Sequence, residues 1–194
     1  MELRWLFISV VLFLFSKVTS QSFQDCSDPF PICDLRTFYF DHMHGVGDYQ
    51  DHLPDIRCIS KHQFKETNSK WLYFEVQKSG ILTFIIESLN DEDPLDVVLF
   101  EMKEDCANLE EVSCVASAQD LIFKRNEYSD YADSIGITYN LLDEFKRGGC
   151  TNCGNNHFKF LTVEEEEKYI LLVNNNHSGN GFTITFDGDC KLRK

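Results

Sequence analysis

Short runs of β-branched and aromatic residues recur along the chain, and this pattern limits the fold more than any other feature. Residues that favour turns, namely Gly, Asn, Asp and Pro, bound most of the runs. The 17 Phe residues fit the same interpretation, because aromatic side chains suit a pleated, half-buried surface. The runs span residues 36–40, 71–76, 81–88, 95–102, 135–140, 157–163, 169–175 and 181–188. We therefore predict an all-β fold, a jelly-roll-like antiparallel β-sandwich of about eight strands.

The connections between these runs predict two hairpins and one or two short helices. The glycine-containing stretches KSG (78–80) and NHSGNG (176–181) are typical of tight turns between paired strands. Helical patterns are confined to residues 105–112 and 139–146. Both are too short to form a helical layer, so the helices are expected as additions to the sandwich.

The first 20 residues differ from the rest of the chain and have the pattern of a secretory signal peptide. Arg4 precedes an apolar run from Trp5 to Phe15, and small residues follow that run. The run is shorter than the roughly 20 apolar residues that a membrane-spanning helix needs. We therefore expect a signal peptide at residues 1–20 and a single mature domain at residues 21–194. Such a protein is secreted or on the cell surface, with the periplasm as a further location.

The net charge of −14 limits the partners of the chain. Nucleic acids and anionic membrane surfaces attract basic patches, so we expect no nucleic-acid partner. We also expect no transmembrane segment in the mature chain. Acidity of this size is compatible with cation binding, and calcium is the expected cofactor.

All eight cysteines follow the signal peptide, and an even number in an exported chain predicts a set of disulfides. Sequence alone does not determine their connectivity. Pairing the nearest neighbours first is the most economical scheme, and the remaining pair then closes the longest loop and stabilises the fold most. That scheme joins Cys26 to Cys33, Cys106 to Cys114, Cys150 to Cys153, and Cys58 to Cys190.

A family resemblance extends over most of the mature chain. The motifs that carry it are CSDPFPIC (26–33), Cys58, NSKWLYFEVQKSGILTFIIE (68–87), LDVVLFE (95–101), the pair Cys106 and Cys114, SIGIT (134–138) and YILLVNNNHSGNGFTITF (169–186). In this order they resemble the CUB-like, pre-peptidase-C-terminal-like β-sandwich domains of secreted and cell-surface proteins of gliding Bacteroidota. The resemblance implies an adhesion or carbohydrate-binding module rather than a catalyst. Such domains usually precede a C-terminal sorting domain, whereas this sequence ends at CKLRK, so periplasmic retention or release is also expected.

An acidic loop before the strand at 95–102 is a candidate calcium site. Asp91, Asp93 and Asp96 supply the hard oxygen ligands that calcium prefers. CUB domains are similar in having a calcium site of loop carboxylates at one end of the sandwich, and Asp187 and Asp189 are candidates to join it. The alternative interpretation is a solvated turn capped by Asp96, since Asp and Pro beside a strand commonly form turns.

The motif CTNC is a second candidate metal site. Cys150 and Cys153, together with His157, have a spacing that could bind zinc. The alternative is a loop closed by a disulfide, which export favours over thiolate coordination.

Two long polar connections contain further candidate residues. In residues 41–57, His42, His44 and His52 are either a transition-metal site or solvated loop histidines. In and after residues 115–134, the aromatic rings of Tyr128, Tyr131 and Tyr139 are candidate ligand contacts, and ordinary loop packing is the alternative.

Together these patterns predict a secreted, non-catalytic binding or adhesion module. Its expected partner is carbohydrate or another surface protein, contacted by loops at one end of the sandwich. The sequence contains no nucleotide-binding glycine loop or HExxH motif, which disfavours an enzyme. Two alternatives stay open: a secreted hydrolase with a dispersed site in the loops at 41–57 and 91–96, and a structural subunit of an envelope assembly.

Overall fold

The computed structural model of the chain describes residues 23–47, 56, 66–90, 93, 95–116, 135–138 and 157–194. Within these residues every regular element is a β-strand. The strands are β1 (Phe30–Pro31), β2 (Thr37–His42), β3 (Ser69–Lys78), β4 (Gly80–Ser88), β5 (Leu95–Met102), β6 (Leu109–Ala116), β7 (Ile135–Thr138), β8 (His157–Lys159), β9 (Leu161–Val163), β10 (Lys168–Asn175), β11 (Asn180–Gly188) and β12 (Lys191–Leu192). No helix in this described part is long and apolar enough to cross a membrane.

The strands form two sheets of six strands each. The first sheet has the order β1-β3-β10-β5-β6, and β12 also pairs with β3. The second sheet has the order β2-β11-β4-β7-β8, and β9 also pairs with β4. Most pairs are antiparallel, but β1 runs parallel to β3 and β7 runs parallel to β8. The architecture is therefore an all-β sandwich, as the strand pattern predicts.

The main core lies between the two sheets and is built from alternate residues of their strands. Leu95, Val97 and Leu99 point into it from β5, while Ile184 and Phe186 reach it from β11 of the other sheet. Burial of each such side chain contributes about 1.5–3 kcal/mol to folding. The alternation of side chains along a strand therefore fixes which face of each sheet points inward.

The first sheet is also covered on its outer face. A second cluster of buried residues lies there, and its members are Ile56, Trp71, Val98, Phe100, Cys114, Ile170 and Leu172. Ile56 belongs to the long connection at residues 41–57, so at least this residue of the connection packs on the sheet. A strand that is buried on both faces carries a continuous apolar run, which explains the sequence LDVVLF of β5.

The second sheet differs, because most of its outer face is exposed where the structure describes it. Tyr39 of β2 is 65% exposed, and Ile85 of β4 is exposed too. Thr183 of β11 lies opposite Tyr39 in the sheet. This sheet therefore follows the alternating pattern of one apolar and one solvated face.

Both predicted hairpins are wrong, and the same topological fact explains both errors. KSG joins β3 to β4, and NHSGNG joins β10 to β11, but in each case the two strands belong to different sheets. The chain therefore crosses between layers at these glycines. A short glycine-containing turn permits either path, because its sequence does not say whether the following strand pairs with the preceding one.

The strand count and the first helix also need correction. The described residues form twelve strands, and two of these, β1 and β12, have only two residues each and are too short to show a sequence pattern. The helix predicted at residues 105–112 is absent, and β6 occupies the end of that stretch. The Asp105 Oδ1 atom accepts a hydrogen bond from the backbone N–H of Ala107, which forms a turn, and β6 then pairs with β5. The helix predicted at 139–146 lies outside the described residues.

The predicted disulfide scheme is wrong at three of its four pairs. The structure joins Cys26 to Cys106, and it leaves Cys33 and Cys190 as free thiols. Cys114 is also disulfide-bonded, and its partner lies outside the described residues. The fourth predicted pair, Cys150 with Cys153, lies outside the described residues too.

The geometry of strands explains why pairing neighbours fails. Cys114 lies five positions after Leu109 on β6, which is about 17 Å of extended chain. Cys106 lies before this strand and cannot reach Cys114 while β6 stays extended. Cys190 is buried in the main core and not bonded, so the predicted closure with Cys58 is excluded.

Candidate functional site

A cavity of about 720 Å³ lies against the outer face of the first sheet. Its floor is formed by outward-facing side chains of three strands. Two walls stand over this floor: the segment at residues 25–29 and the turn at residues 104–107 between β5 and β6. The floor residues are Trp71 and Tyr73 of β3, Met102 of β5 and Leu109 of β6. Ligand pockets typically have volumes of about 300–1,000 Å³, so the cavity is large enough for a small organic ligand.

The two walls of the cavity are joined covalently. Cys26 belongs to the first wall and Cys106 to the second, and their disulfide links residues 80 positions apart in the sequence. Cys26 also packs against the buried cluster on this face of the sheet. The bond therefore fixes the distance between the walls, and a preformed cavity avoids the entropy cost of ordering its walls when a ligand binds.

Glu66 is the most buried carboxyl group at the cavity. It precedes β3, and its Oε1 atom accepts a hydrogen bond of 3.0 Å from the indole Nε1 of Trp71. Burial raises the pKa of Glu66 above its ordinary value, in spite of this hydrogen bond, and the charge of Asp25 raises it further. The group therefore lies in a position where a positive partner would stabilise its ionised form.

The other polar groups of the cavity are also acidic. Asp25 and Glu104 belong to its walls, and Asp105 stands beside them with its Oδ1 bound to the N–H of Ala107. Among the described residues that line the cavity there is no Lys, Arg or His. The cavity thus combines an apolar floor with four carboxyl groups.

Tyr73 is the tyrosine of the cavity floor. It donates a hydrogen bond of 3.3 Å to the Glu75 carboxylate. Burial, together with the negative charge of Glu75, raises the pKa of Tyr73 to about 12. The phenol is therefore neutral across the physiological range and presents its ring to the cavity as an apolar surface.

The predicted calcium loop forms a second polar region, and its centre is Asp93. This side chain is only 4% exposed. Its Oδ2 atom accepts hydrogen bonds from Ser178 Oγ, from Asn180 Nδ2 at 2.8 Å and from Asn175 Nδ2 at 3.3 Å. Burial by itself would raise the pKa of Asp93, but these hydrogen bonds outweigh it and hold the pKa below its ordinary value.

Asp96 is held in a similar way. It is buried on the outer face of the first sheet, and its Oδ2 atom accepts a hydrogen bond from Asn176 Nδ2. The donors to Asp93 and Asp96 come from β10, the start of β11 and the crossover between them, and together they fix that crossover against the start of β5. The interpretation of this loop as a solvated turn is wrong for both carboxylates, because both are buried.

The predicted calcium ligands Asp187 and Asp189 do not lie beside Asp93. Asp187 lies opposite Thr83 near the far end of β11, whereas Asn180, which binds Asp93, begins that strand. Seven residues of extended strand separate the two positions, about 23 Å. Asp189 lies two residues further on and accepts a hydrogen bond from the N–H of Ile81.

The described residues contain no group of three or more His, Cys, Asp or Glu side chains placed to hold a metal ion. Asp91 lies outside the described residues, so a calcium site formed by Asp91, Asp93 and Asp96 stays a prediction. One observation bears on it: the Oδ1 atom of Asp93 is buried and has no hydrogen-bond partner within the described part of the chain.

The remaining candidate site residues either do not line the cavity or lie outside the described residues. His42 and His44 stack with ring centroids 5.4 Å apart, and both side chains are exposed. His157 begins β8. The other candidates, namely His52, Cys150, Cys153, Tyr128, Tyr131 and Tyr139, all lie outside the described residues.

The sequence does not predict the cavity, although it contains one signal for it. The apolar run of β5 shows that this strand is covered on both faces, so part of the chain must form a layer over the first sheet. Nothing in the local sequence around Glu66, Glu104 or Asp105 indicates that these residues border a cavity. Comparison with protein-family models and with curated proteins finds no match for this chain.

Proposed function

We propose that this protein is a secreted, non-catalytic binding module that recognises carbohydrate through the cavity on its first sheet. The jelly-roll-like sandwich serves as a rigid support, and the mature domain occupies residues 21–194. The observation that carries the proposal is the composition of the cavity, which combines an apolar floor with several carboxyl groups.

This composition matches the chemistry of a sugar. A pyranose ring has a face of C–H groups that packs on aromatic and apolar side chains such as Tyr73 and Met102. Its hydroxyl groups are donors as well as acceptors, and carboxylates are strong acceptors for them. The four carboxyl groups around the apolar floor therefore offer hydrogen-bond partners for several hydroxyls at once.

The shape of the site favours a small or chain-end ligand over a protein surface. A specific protein interface buries about 800 Å² on each partner and is broad, whereas this site is a concave cavity bounded by two walls. The disulfide between Cys26 and Cys106 holds those walls in place. A preformed concave site of this kind supports recognition of a few sugar units.

A glycan array probed with the oxidised mature chain tests the proposal. Tyr73→Ala removes part of the cavity floor, and Tyr39→Ala is its matched control, because Tyr39 is an exposed tyrosine on the outer face of the other sheet. We expect specific glycans to be bound, with affinity reduced about tenfold or more by Tyr73→Ala and unchanged by Tyr39→Ala. Thermal melting of both variants confirms that each is folded.

Two results would overturn this proposal. Absence of binding to every glycan by the folded, oxidised chain would remove carbohydrate as the ligand. Binding that is lost with Tyr39→Ala but kept with Tyr73→Ala would move the site to the exposed face of the second sheet.

A further inference from the structure

Three asparagines follow one another where β10 ends, and only the third is exposed. Asn174 and Asn175 are fully buried, whereas Asn176 is exposed at the start of the crossover to β11. Asn176 is also the only asparagine of the chain that has Ser or Thr two positions later, namely Ser178, with His177 between them. Asn-x-Ser/Thr, with x other than Pro, is the acceptor sequence for N-linked oligosaccharides on exported chains. The acceptor sequence and the exposed position therefore coincide.

We propose that Asn176 is a glycosylation site, at which the exported chain carries one N-linked oligosaccharide. The co-reactant is an oligosaccharide that is bound to a membrane lipid through a diphosphate. The Nδ2 atom of Asn176 attacks C1 of the first sugar, so an N–C bond forms and the C–O bond to the diphosphate breaks. The lipid diphosphate leaves with the electron pair of that bond, and the nitrogen loses one of its two protons. This inference goes beyond the cavity and shares with the proposed function only the requirement for export.

The hydrogen bonds of Asn176 are compatible with this modification. Its Nδ2 atom donates to Asp96 Oδ2, which is its one acceptor within the described residues. A glycosylated asparagine keeps one N–H, so the bond to Asp96 does not have to be lost. The Oδ1 atom accepts hydrogen bonds from Asn174 Nδ2 at 2.9 Å and from Thr67 Oγ1 at 3.3 Å, and the modification leaves this oxygen unchanged. The crossover can therefore fold in the same way with a sugar on Asn176.

An independent observation agrees with passage through an export pathway. Cys26 and Cys106 are joined by a disulfide, and disulfides persist in the oxidising compartments that exported proteins enter. The signal-peptide pattern of residues 1–20 has the same implication. A chain that enters such a compartment presents Asn176 on the side of the membrane where N-linked oligosaccharides are attached.

The attachment point lies away from the cavity. Asp96, which binds Asn176, is near the start of β5, whereas Met102 of the cavity floor is the last residue of that strand. Six positions of extended strand separate Asp96 from Met102, about 20 Å. The oligosaccharide and a ligand in the cavity therefore occupy different ends of the first sheet, and removal of the oligosaccharide should not remove ligand binding.

Mass spectrometry of the exported chain, isolated from the organism that produces it, tests the proposal. We expect the intact mass to exceed that of the oxidised polypeptide by one oligosaccharide, and a peptide N-glycosidase should remove the excess. This enzyme converts the asparagine that carried the sugar to aspartate. Fragment spectra of the tryptic peptide at residues 169–191 should place that conversion at position 176 and not at Asn180.

Two substitutions at one position separate the acceptor sequence from the asparagine itself. Ser178→Thr keeps the hydroxyl that the sequence needs, and Ser178→Ala removes it, while Asn176 is unchanged in both. We expect the oligosaccharide on Ser178→Thr and none on Ser178→Ala. Asn108→Gln is the control, because Asn108 is also exposed and also donates to an aspartate, yet Glu110 stands two positions later. This control should keep the oligosaccharide.

Every other result overturns a defined statement. An exported wild-type chain with the mass of the bare polypeptide overturns the inference and leaves the carbohydrate-binding function standing. Conversion at a position other than 176, or loss of the oligosaccharide in Asn108→Gln, overturns the assignment to Asn176. A chain that stays in the cytoplasm with residues 1–20 attached overturns the export on which both proposals rest. Recovery of Ser178→Ala is not required, since the position mapped in wild type decides the assignment by itself.

Discussion

Glu66 and Asp93 are both buried carboxyl groups, yet their surroundings shift their pKa values in opposite directions. Asp93 accepts hydrogen bonds from Ser178, Asn175 and Asn180, and these donors hold its pKa below the ordinary value. Glu66 lies at the cavity, where burial outweighs its hydrogen bonds and raises its pKa. Burial alone therefore does not determine the state of a carboxyl group, because the number of donors around it decides the outcome.

This difference in hydrogen-bond donors distinguishes a carboxylate with a structural role from a carboxylate suited to binding a ligand. Asp93 fixes the crossover between β10 and β11 to the start of β5, so its charge is used within the fold. Glu66 has fewer donors, and it borders a cavity with three further carboxyl groups. Its charge is therefore better suited to an interaction with a ligand than to an interaction within the protein.

The largest expected effect comes from removing the Asp93 carboxylate. Asp93→Ala removes the acceptor of the Ser178, Asn175 and Asn180 donors, of which Asn175 is fully buried, and we expect a loss of about 2–3 kcal/mol in the free energy of unfolding. Denaturant unfolding measures the change. Asp187→Ala is the control, since Asp187 is exposed, and it should cost about 0.5 kcal/mol or less. Equal effects of the two changes would show that the hydrogen bonds to Asp93 do not stabilise the fold.

A smaller effect is expected in the dependence of stability on pH. Asp93 has a lowered pKa when folded, so its contribution is present above the unfolded pKa, near 4, and is lost as the pH falls through the folded value. Glu66 has a raised pKa when folded, so its contribution is fully present below the unfolded pKa and is lost as the pH rises through the folded value.

Two isosteric variants separate these contributions. Relative to wild type, Asp93→Asn should lose less stability on acidification below about pH 4. Glu66→Gln should lose less stability as the pH rises from 4 to neutrality, because it keeps an acceptor for the Trp71 indole without the charge. Urea unfolding at a series of pH values measures both. Parallel curves for wild type and Glu66→Gln would contradict the contrast between the two groups.

The fold could be predicted from the sequence where local pattern and tertiary environment agree. The alternation along β5 places Leu95, Val97 and Leu99 in the main core and Asp96 on the other face with Val98 and Phe100, as observed. The period and polarity of the side chains along a strand determine which face of the sheet each residue occupies. They do not determine which strands pair, so the sequence predicts hairpins at KSG and NHSGNG although each turn crosses between sheets.

The candidate site was harder to predict, because its residues meet only in the tertiary structure. Cys26 and Cys106 are 80 positions apart, and no spacing rule joins them. The carboxylates that attract attention in the sequence are the cluster at 91–96. The structure uses Asp93 and Asp96 from that cluster as acceptors within the fold, while the isolated Glu66 and Glu104 border the cavity.

The smallest expected effects concern calcium, and they test whether the Asp93 region has a role beyond structure. If Asp91, Asp93 and Asp96 bind calcium, the melting temperature of wild type rises with calcium concentration, since an ion that binds the native state stabilises it. The double variant Asp187→Asn with Asp189→Asn should leave that rise unchanged, because Asp187 lies about 23 Å along β11 from Asn180, which binds Asp93, and Asp189 follows still later. The stability of the double variant without calcium should also stay within about 0.5 kcal/mol of wild type.

Thermal melts of wild type and the double variant with calcium and with a chelator give both answers. A rise that disappears in the double variant would contradict the strand register that places Asp187 opposite Thr83. No rise in wild type would end the calcium prediction and leave Asp93 as a purely structural carboxylate, which would widen the contrast with Glu66. A rise in both proteins would instead narrow that contrast, since Asp93, with its unpaired Oδ1 atom, would then also be a ligand-binding carboxylate.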